Sequence, residues 1–171
     1  MRRVTVDLRA GVEDDLPALL DIYNHHVRHG YATFDEAEVS LAERRAWWSA
    51  YSPVGAHRLL VAAAGRRVVG YATSSAYRPH PAFRHTVETS VYLAPDAVGR
   101  GFGGRLYDRL LADLSGTGAH RVVAAVALPN DASVGLHLSR GFTIVGTFTG
   151  YAVKGDRSIS STWFERPVVL R

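Results

Sequence analysis

Four glycines fall within six residues at Gly99-Arg100-Gly101-Phe102-Gly103-Gly104, between an apolar strand-like run and an amphipathic helical one. Glycine has no Cβ and reaches positive φ readily, so such a stretch turns sharply and keeps side chains away from the main chain. Where a helix begins directly after it, the first N–H groups face outward together with the positive end of the helix dipole. A turn of this kind is suited to an anionic group such as a pyrophosphate. The letters also satisfy Gly-x-Gly-x-x-Gly, but that dinucleotide fingerprint should open a series of parallel βαβ units, with an acidic residue closing the next strand. Here the next strand, Arg121 to Leu128, runs into Pro129-Asn130 instead. No Gly-Lys-Ser/Thr follows, so the loop is not a P-loop. A helix-start turn without any ligand is the plain alternative.

Hydrophobic periodicity supplies the elements around this turn. Val4 to Arg9 alternates and predicts an opening strand. Asp14 to His29 carries Leu16, Leu19, Leu20, Tyr23 and Val27 at helical spacing. Ser40-x-x-Glu43 has the form of a capping box opening a second helix through Trp47, Trp48 and Tyr51. Leu59 to Ala64 and Val68 to Tyr77, joined at Arg66-Arg67, predict a hairpin. Two prolines keep Arg78-Pro79-His80-Pro81 out of regular structure. Thr86 to Leu93 is the strand before the glycine turn, and Gly101 to Leu114 a helix presenting Leu106, Leu110, Leu111 and Leu114 on one face. Asp131 to Arg140 predicts a short helix stopped by Gly141, and strands at 142–153 and 160–168 close the chain. The pattern is that of a mixed sheet flanked by helices, an α/β or α+β fold in a single domain over residues 1–171.

Composition narrows the function. The 171 residues include no cysteine, which excludes disulfides and thiolate chemistry and makes the reducing cytoplasm the expected compartment. The net charge of +4 comes from scattered arginines, with no basic block of five, so no nucleic-acid partner is expected. No apolar run approaches the roughly 20 residues of a membrane-spanning helix, and residues 1–7 lack the apolar core of a signal peptide, so no membrane partner is expected. Nothing in the chain calls for a metal.

Further residues fall into an ordered set: Tyr23-Asn24, Ala32-Thr33-Phe34-Asp35, Thr86-Val87-Glu88-Thr89-Ser90-Val91-Tyr92-Leu93, the glycine turn with Leu106-Tyr107, Asn130-x-x-Ser133-x-x-Leu136-His137, and Gly141-Phe142. From about Val6 to Gly150 this set resembles the phosphinothricin and methionine sulfoximine/methionine sulfone N-acetyltransferases, a branch of the GCN5-related (GNAT) superfamily. The resemblance implies a mostly antiparallel central sheet with a splayed strand pair holding acetyl-CoA, used as acyl-donor cosubstrate. Val91, Tyr92 and Leu93 would meet the pantetheine arm through their main chain. Gly99, Arg100, Gly101, Phe102, Gly103 and Gly104 would take the pyrophosphate, and Asn130 with Ser133 would lie near the thiol end. The acceptor, a small-molecule amine, would meet Arg78, Pro79 and His80, then Glu88, Thr89 and Ser90, with Phe34 as a wall. A homodimer is implied as well. Two places depart from the family pattern. Val98 stands where Gln or Arg is usual, and residues 154–160 lack a usual Trp and have Ser160 near an expected Asp.

An amine attacking a thioester must lose a proton, the carbonyl oxygen must be stabilised as it gains charge, and the thiolate must leave. Glu88, alone in an otherwise uncharged strand, is the candidate base; a solvent-facing strand glutamate is its bland alternative. By alternation Glu88, Ser90 and Tyr92 share one face, and Val87, Thr89, Val91 and Leu93 the other. His137 occupies the place where many superfamily members carry a Tyr that protonates the thiolate; it serves as that acid, orients the acetyl group, or is structural. Arg78 suits bidentate pairing with an acceptor carboxylate. The resemblance therefore implies N-acetylation of an amino-acid-like compound. The alternatives are a different amine (polyamine, aminoglycoside or protein N-terminus) and a non-catalytic acyl-CoA-binding regulator.

Overall fold

The structure is a computed structural model that describes residues 5–169. Val4, placed in the opening strand by its alternation, lies outside the described residues. Seven strands form one sheet in the order β1-β2-β3-β4-β5-β7-β6. The strands are β1 (Val6–Ala10), β2 (Arg58–Ala64), β3 (Arg67–Ala76), β4 (Thr86–Leu93), β5 (Arg121–Ala127), β6 (Thr143–Lys154) and β7 (Arg157–Pro167). Every neighbouring pair is antiparallel except β4 and β5. β7 inserts between β5 and β6, so the hairpin it makes with β6 hangs on the end of the sheet.

Four helices cover the sheet: α1 (Leu16–His29), α2 (Leu41–Trp48), α3 (Phe102–Asp113) and α4 (Asp131–Ser139). Ser40 caps α2 as the sequence predicts, its hydroxyl accepting from the Glu43 N–H while the Glu43 carboxylate accepts from the Ser40 N–H. The first helix begins later than its periodicity suggests. Glu13–Asp15 form a 3-10 turn, because the Asp15 carboxylate is drawn back to the Val12 N–H and to Arg9. Pro81 opens a second 3-10 turn, Pro81–Phe83, in the segment otherwise kept irregular by prolines.

The two faces of β4 divide the helices. Tyr92 meets Tyr23 of α1 at 5.4 Å and Tyr71 of β3 at 5.5 Å between ring centroids. On the opposite face Val91 and Leu93 lie against α3 near Gly103. Leu106, Leu110 and Leu114, spaced four apart, are fully buried there, each worth about 1.5–3 kcal/mol in transfer free energy. At the far end Lys154 of β6 donates to the carbonyls of Val27, Gly30 and Thr33 at 2.9, 2.9 and 3.0 Å, tying the β6–β7 hairpin to the end of α1.

Candidate active site

β4 and β5 run side by side for three residue pairs only, Thr86–Arg121, Val87–Val122 and Glu88–Val123. Beyond Glu88 the strands part, while β4 stays paired with β3 through Leu93 and β5 with β7 through Ala127. Backbone groups of β4 that point toward β5 past this fork have no ladder partner. The cleft that opens is lined by Thr89 to Tyr92 on one side and Ala125 to Ala127 on the other, with Tyr107, Asn130, Ser133 and His137 at its floor.

The glycine turn follows β4, and Gly103 lies against Val91 and Leu93 at the end of that strand. Gly101 holds φ 79°, the left-handed region that favours glycine, as the N-cap of α3. No side chain caps this helix, so its first N–H groups are free for a ligand. A Cβ on Gly101 would meet nothing within 4 Å, whereas one on Gly104 would fall 2.1 Å from Arg140 Nη2. Backbone conformation fixes the first glycine; at the second the clash is with the flexible end of the Arg140 side chain, which can swing aside. Phe102 turns its ring into the core at 5% exposure, so only its main chain faces the turn. Arg100 is exposed, its guanidinium 5.1 Å from that ring centroid, and Val98 is exposed beside it. A forked strand pair leading to an uncapped helix start fits a long, thin ligand that carries phosphates at one end.

Asn130 is the N-cap of α4, its Oδ1 accepting from the Ser133 N–H at 3.1 Å. His137, 3% exposed, has both ring nitrogens engaged. Nδ1 lies 2.7 Å from the Ser133 carbonyl, which can only accept, so this nitrogen carries the proton. Nε2 then accepts from the Tyr107 hydroxyl at 2.8 Å. Tyr107 in turn lies 3.1 Å from Thr89 Oγ1. Burial pushes His137 below the ordinary histidine range, which keeps the ring neutral. Burial also raises the Tyr107 hydroxyl.

The opposite face of β4 carries Glu88, Ser90 and Tyr92, as alternation predicts. Glu88 is half-buried, and burial raises its carboxyl above the usual range, with the Arg78 charge acting in the opposite direction. Ser75 of β3 is its cross-strand partner. Thr89, grouped by resemblance with the acceptor residues, instead turns its side chain to the Tyr107 side. Arg78, Pro79 and His80 are exposed on the β3–β4 connection. Arg78 lies 5.1 Å from the Tyr77 ring centroid, and His80 Nδ1 accepts from the Ala82 N–H, capping the 3-10 turn. Phe34, 40% exposed, packs edge-on against Tyr151 of β6 and lines neither cavity on β4.

Two residues in these cavities received no role from sequence. Tyr107 stands there only beside Leu106 in the ordered set, and Arg44 is absent from that set; Arg44 is 4% exposed and lines a cavity on the Glu88 face.

Residues 19–142 match the acetyltransferase (GNAT) family. A phosphinothricin N-acetyltransferase of Streptomyces coelicolor is 45% identical over 165 residues, covering 95% of this chain and 96% of that protein. An L-methionine sulfoximine/L-methionine sulfone acetyltransferase of Pseudomonas paraeruginosa is 39% identical, covering 91% and 90%. The crystal structure of a phosphinothricin acetyltransferase from Sinorhizobium meliloti in complex with acetyl-CoA superposes with a TM-score of 0.90 at 32% identity, over 96% of this chain and 89% of that one. With more than half its length matched by the family and relatives this similar along nearly the whole chain, the protein belongs to the GNAT acetyltransferase family.

Proposed function

We propose that the protein acetylates the α-amine of a small amino-acid-like acceptor of the phosphinothricin, methionine sulfoximine or methionine sulfone type, with acetyl-CoA as donor. The observation that carries this reading is the position of Glu88. It is a half-buried carboxylate at the last pairing point before β4 and β5 part, on the face opposite the cleft. Both reactants can then meet at one strand, one from each side, and juxtaposition supplies much of the rate.

Acetyl-CoA, when bound, brings an activated acetyl carbonyl and a sulfur that leaves as thiolate. The N–H groups at Phe102, Gly103 and Gly104 would hold its diphosphate, and the main-chain groups of β4 that point away from β3 beyond Glu88 would hold the arm. The Oδ1 of Asn130 is committed to Ser133, so its amide nitrogen is the end left to face the cleft. Glu88 accepts the ammonium proton, directly or through water. The N–H near Val91 donates to the carbonyl oxygen as it gains charge. On the thiol side the Tyr107 hydroxyl, which at rest donates to His137 Nε2, rotates its O–H into the cleft to protonate the departing thiolate, since the one proton of His137 is held by Ser133. His137 thereby acts as a positioning residue for Tyr107. Arg78 pairs with the acceptor carboxylate.

A homodimer through β6 is part of the same proposal. Ile144, Val145, Phe148, Tyr151 and Val153 are all exposed on this outermost strand, an apolar edge of the kind that pairing covers. Among the described residues no helix is long and apolar enough to cross a membrane. A cysteine-free chain suits the reducing cytoplasm, where we place it.

The test is a thiol-release assay with acetyl-CoA against amino acids, their sulfone, sulfoximine and phosphinate analogues, polyamines and aminoglycosides. Turnover confined to the amino-acid analogues is expected. Turnover of polyamines or aminoglycosides alone would overturn the acceptor assignment.

A further inference from the structure

The cavity on the Glu88 face is bordered by a buried cation that makes no ion pair among the described residues. Arg44 Cζ lies 3.5 Å from the Trp47 ring centroid, 4.8 Å from that of Tyr23 and 5.2 Å from that of Tyr71. Its Nη2 donates to the Tyr71 hydroxyl at 2.5 Å, while its Nε is buried and makes no hydrogen bond. Among the described residues no carboxylate forms an ion pair with it. Removing a guanidinium from water without an anion is costly, and ring stacking returns only part of that cost. An anionic or strongly polarised oxygen is what this group lacks.

The cavity shows where such an oxygen arrives. It encloses about 260 Å³, several times the roughly 30 Å³ share of one water. It extends from Arg44, past Tyr51 and Tyr92, to Ser75 and Ser90. Ser75 is the cross-strand partner of Glu88, and Ser90 follows Glu88 on the same face of β4. The same space is therefore bordered by the strand neighbours of the proposed base, Ser75 and Ser90, and by Arg44. Asp35 also lines the cavity, its carboxylate accepting from the Tyr23 hydroxyl at 2.6 Å.

We propose that Arg44 binds the side-chain head group of the acceptor, a phosphinate, sulfone or sulfoximine whose oxygens accept from the guanidinium. This rests on the acceptor class proposed above and extends it to a residue that selects within that class. A planar guanidinium matches two acceptor atoms on one centre, two oxygens in a phosphinate or sulfone and an oxygen with a nitrogen in a sulfoximine. The aromatic rings stacked against the guanidinium lower the dielectric around it and strengthen each of those hydrogen bonds. A thioether such as methionine offers the guanidinium no oxygen.

The experiment compares methionine sulfone with methionine, by kcat/KM in thiol release and by calorimetric Kd, for the wild type, Arg44→Met and Arg44→Lys. The wild type is expected to favour the sulfone at least about tenfold. Arg44→Met should lose on the order of 100-fold on the sulfone while methionine changes less than about threefold. Arg44→Lys keeps the charge without the fork and should lose about tenfold on the sulfone alone; it carries the test if a circular-dichroism melt finds Arg44→Met unfolded. Equal losses on both acceptors, or a wild type indifferent to the oxygens, would make Arg44 a structural residue and overturn the inference. A wild type that acetylates neither compound but does acetylate a polyamine would overturn the acceptor class itself, which is a different result.

Discussion

Replacing Tyr107 by phenylalanine removes one hydroxyl from the interior and tests the chain Thr89–Tyr107–His137–Ser133 directly. Tyr107 is fully buried, so the ring should stay in place and the change is confined to the oxygen. That oxygen is the donor that satisfies His137 Nε2 at 2.8 Å, because the other ring nitrogen gives its proton to Ser133. Thr89 has a second acceptor in the Val123 carbonyl at 3.5 Å and can turn to it. His137 has no such recourse. An unsatisfied buried acceptor costs about 1–3 kcal/mol, and a chain of this size loses roughly 2–4 °C of melting temperature per kcal/mol. Thermal unfolding followed by circular dichroism should therefore show a fall of roughly 2–12 °C. Loss of a proton donor should lower kcat by about 100-fold or more, read by thiol release at a temperature where the variant is folded. An unchanged melting temperature would refute the tautomer and the hydrogen bond deduced for His137. A lowered melting temperature with unchanged kcat would leave the chain as packing and remove Tyr107 from proton transfer.

Glu88→Gln should lower turnover by about 100-fold or more and abolish the acid limb of the pH–rate profile, whose midpoint in the wild type should lie above the ordinary glutamate range. Because the folded carboxyl titrates above its unfolded value, its ionisation costs stability as pH rises through that interval; at neutral pH Glu88→Gln should melt no lower than the wild type. Lys154→Met removes a charged donor from three carbonyls and should cost at least about 1.5 kcal/mol by chemical denaturation; no loss would mean that the β6–β7 hairpin is held by other contacts. Phe148→Glu should turn a dimer into monomers in analytical ultracentrifugation, and a wild type that sediments as a monomer would sink the proposed β6 interface.

Local chemistry made much of this readable from sequence. The Ser40–Glu43 reciprocal cap, the limits of β4 and the glycine turn before α3 depend on neighbours in the chain, and periodicity or residue type reports them. The grouping of Glu88, Ser90 and Tyr92 follows from alternation alone. What depended on distant partners was hidden. The fork after Glu88 is a property of two strands more than 30 residues apart that neither strand's letters report; only the family resemblance implies a splayed pair. Arg44 sits in a helix whose letters suggest a solvated face, and it is buried only because Tyr71, distant in sequence, comes to meet it. His137 could be found from its spacing to Asn130, but its tautomer requires Ser133 and Tyr107 in place. Thr89 was grouped with residues whose side chains point the other way, since a resemblance carries positions and not orientations.

Lys154 is the only lysine in the sequence. An ε-amine becomes a nucleophile only when a lone pair is free, and each proton of this ammonium is held by a carbonyl of the last turn of α1 or of the segment that follows it. An enzyme whose donor acylates amines indiscriminately, given time, thus presents no side-chain amine of its own to be modified. Its other strong bases are guanidiniums, inert to thioesters at neutral pH, so the surface can remain cationic through long exposure to its own reagent.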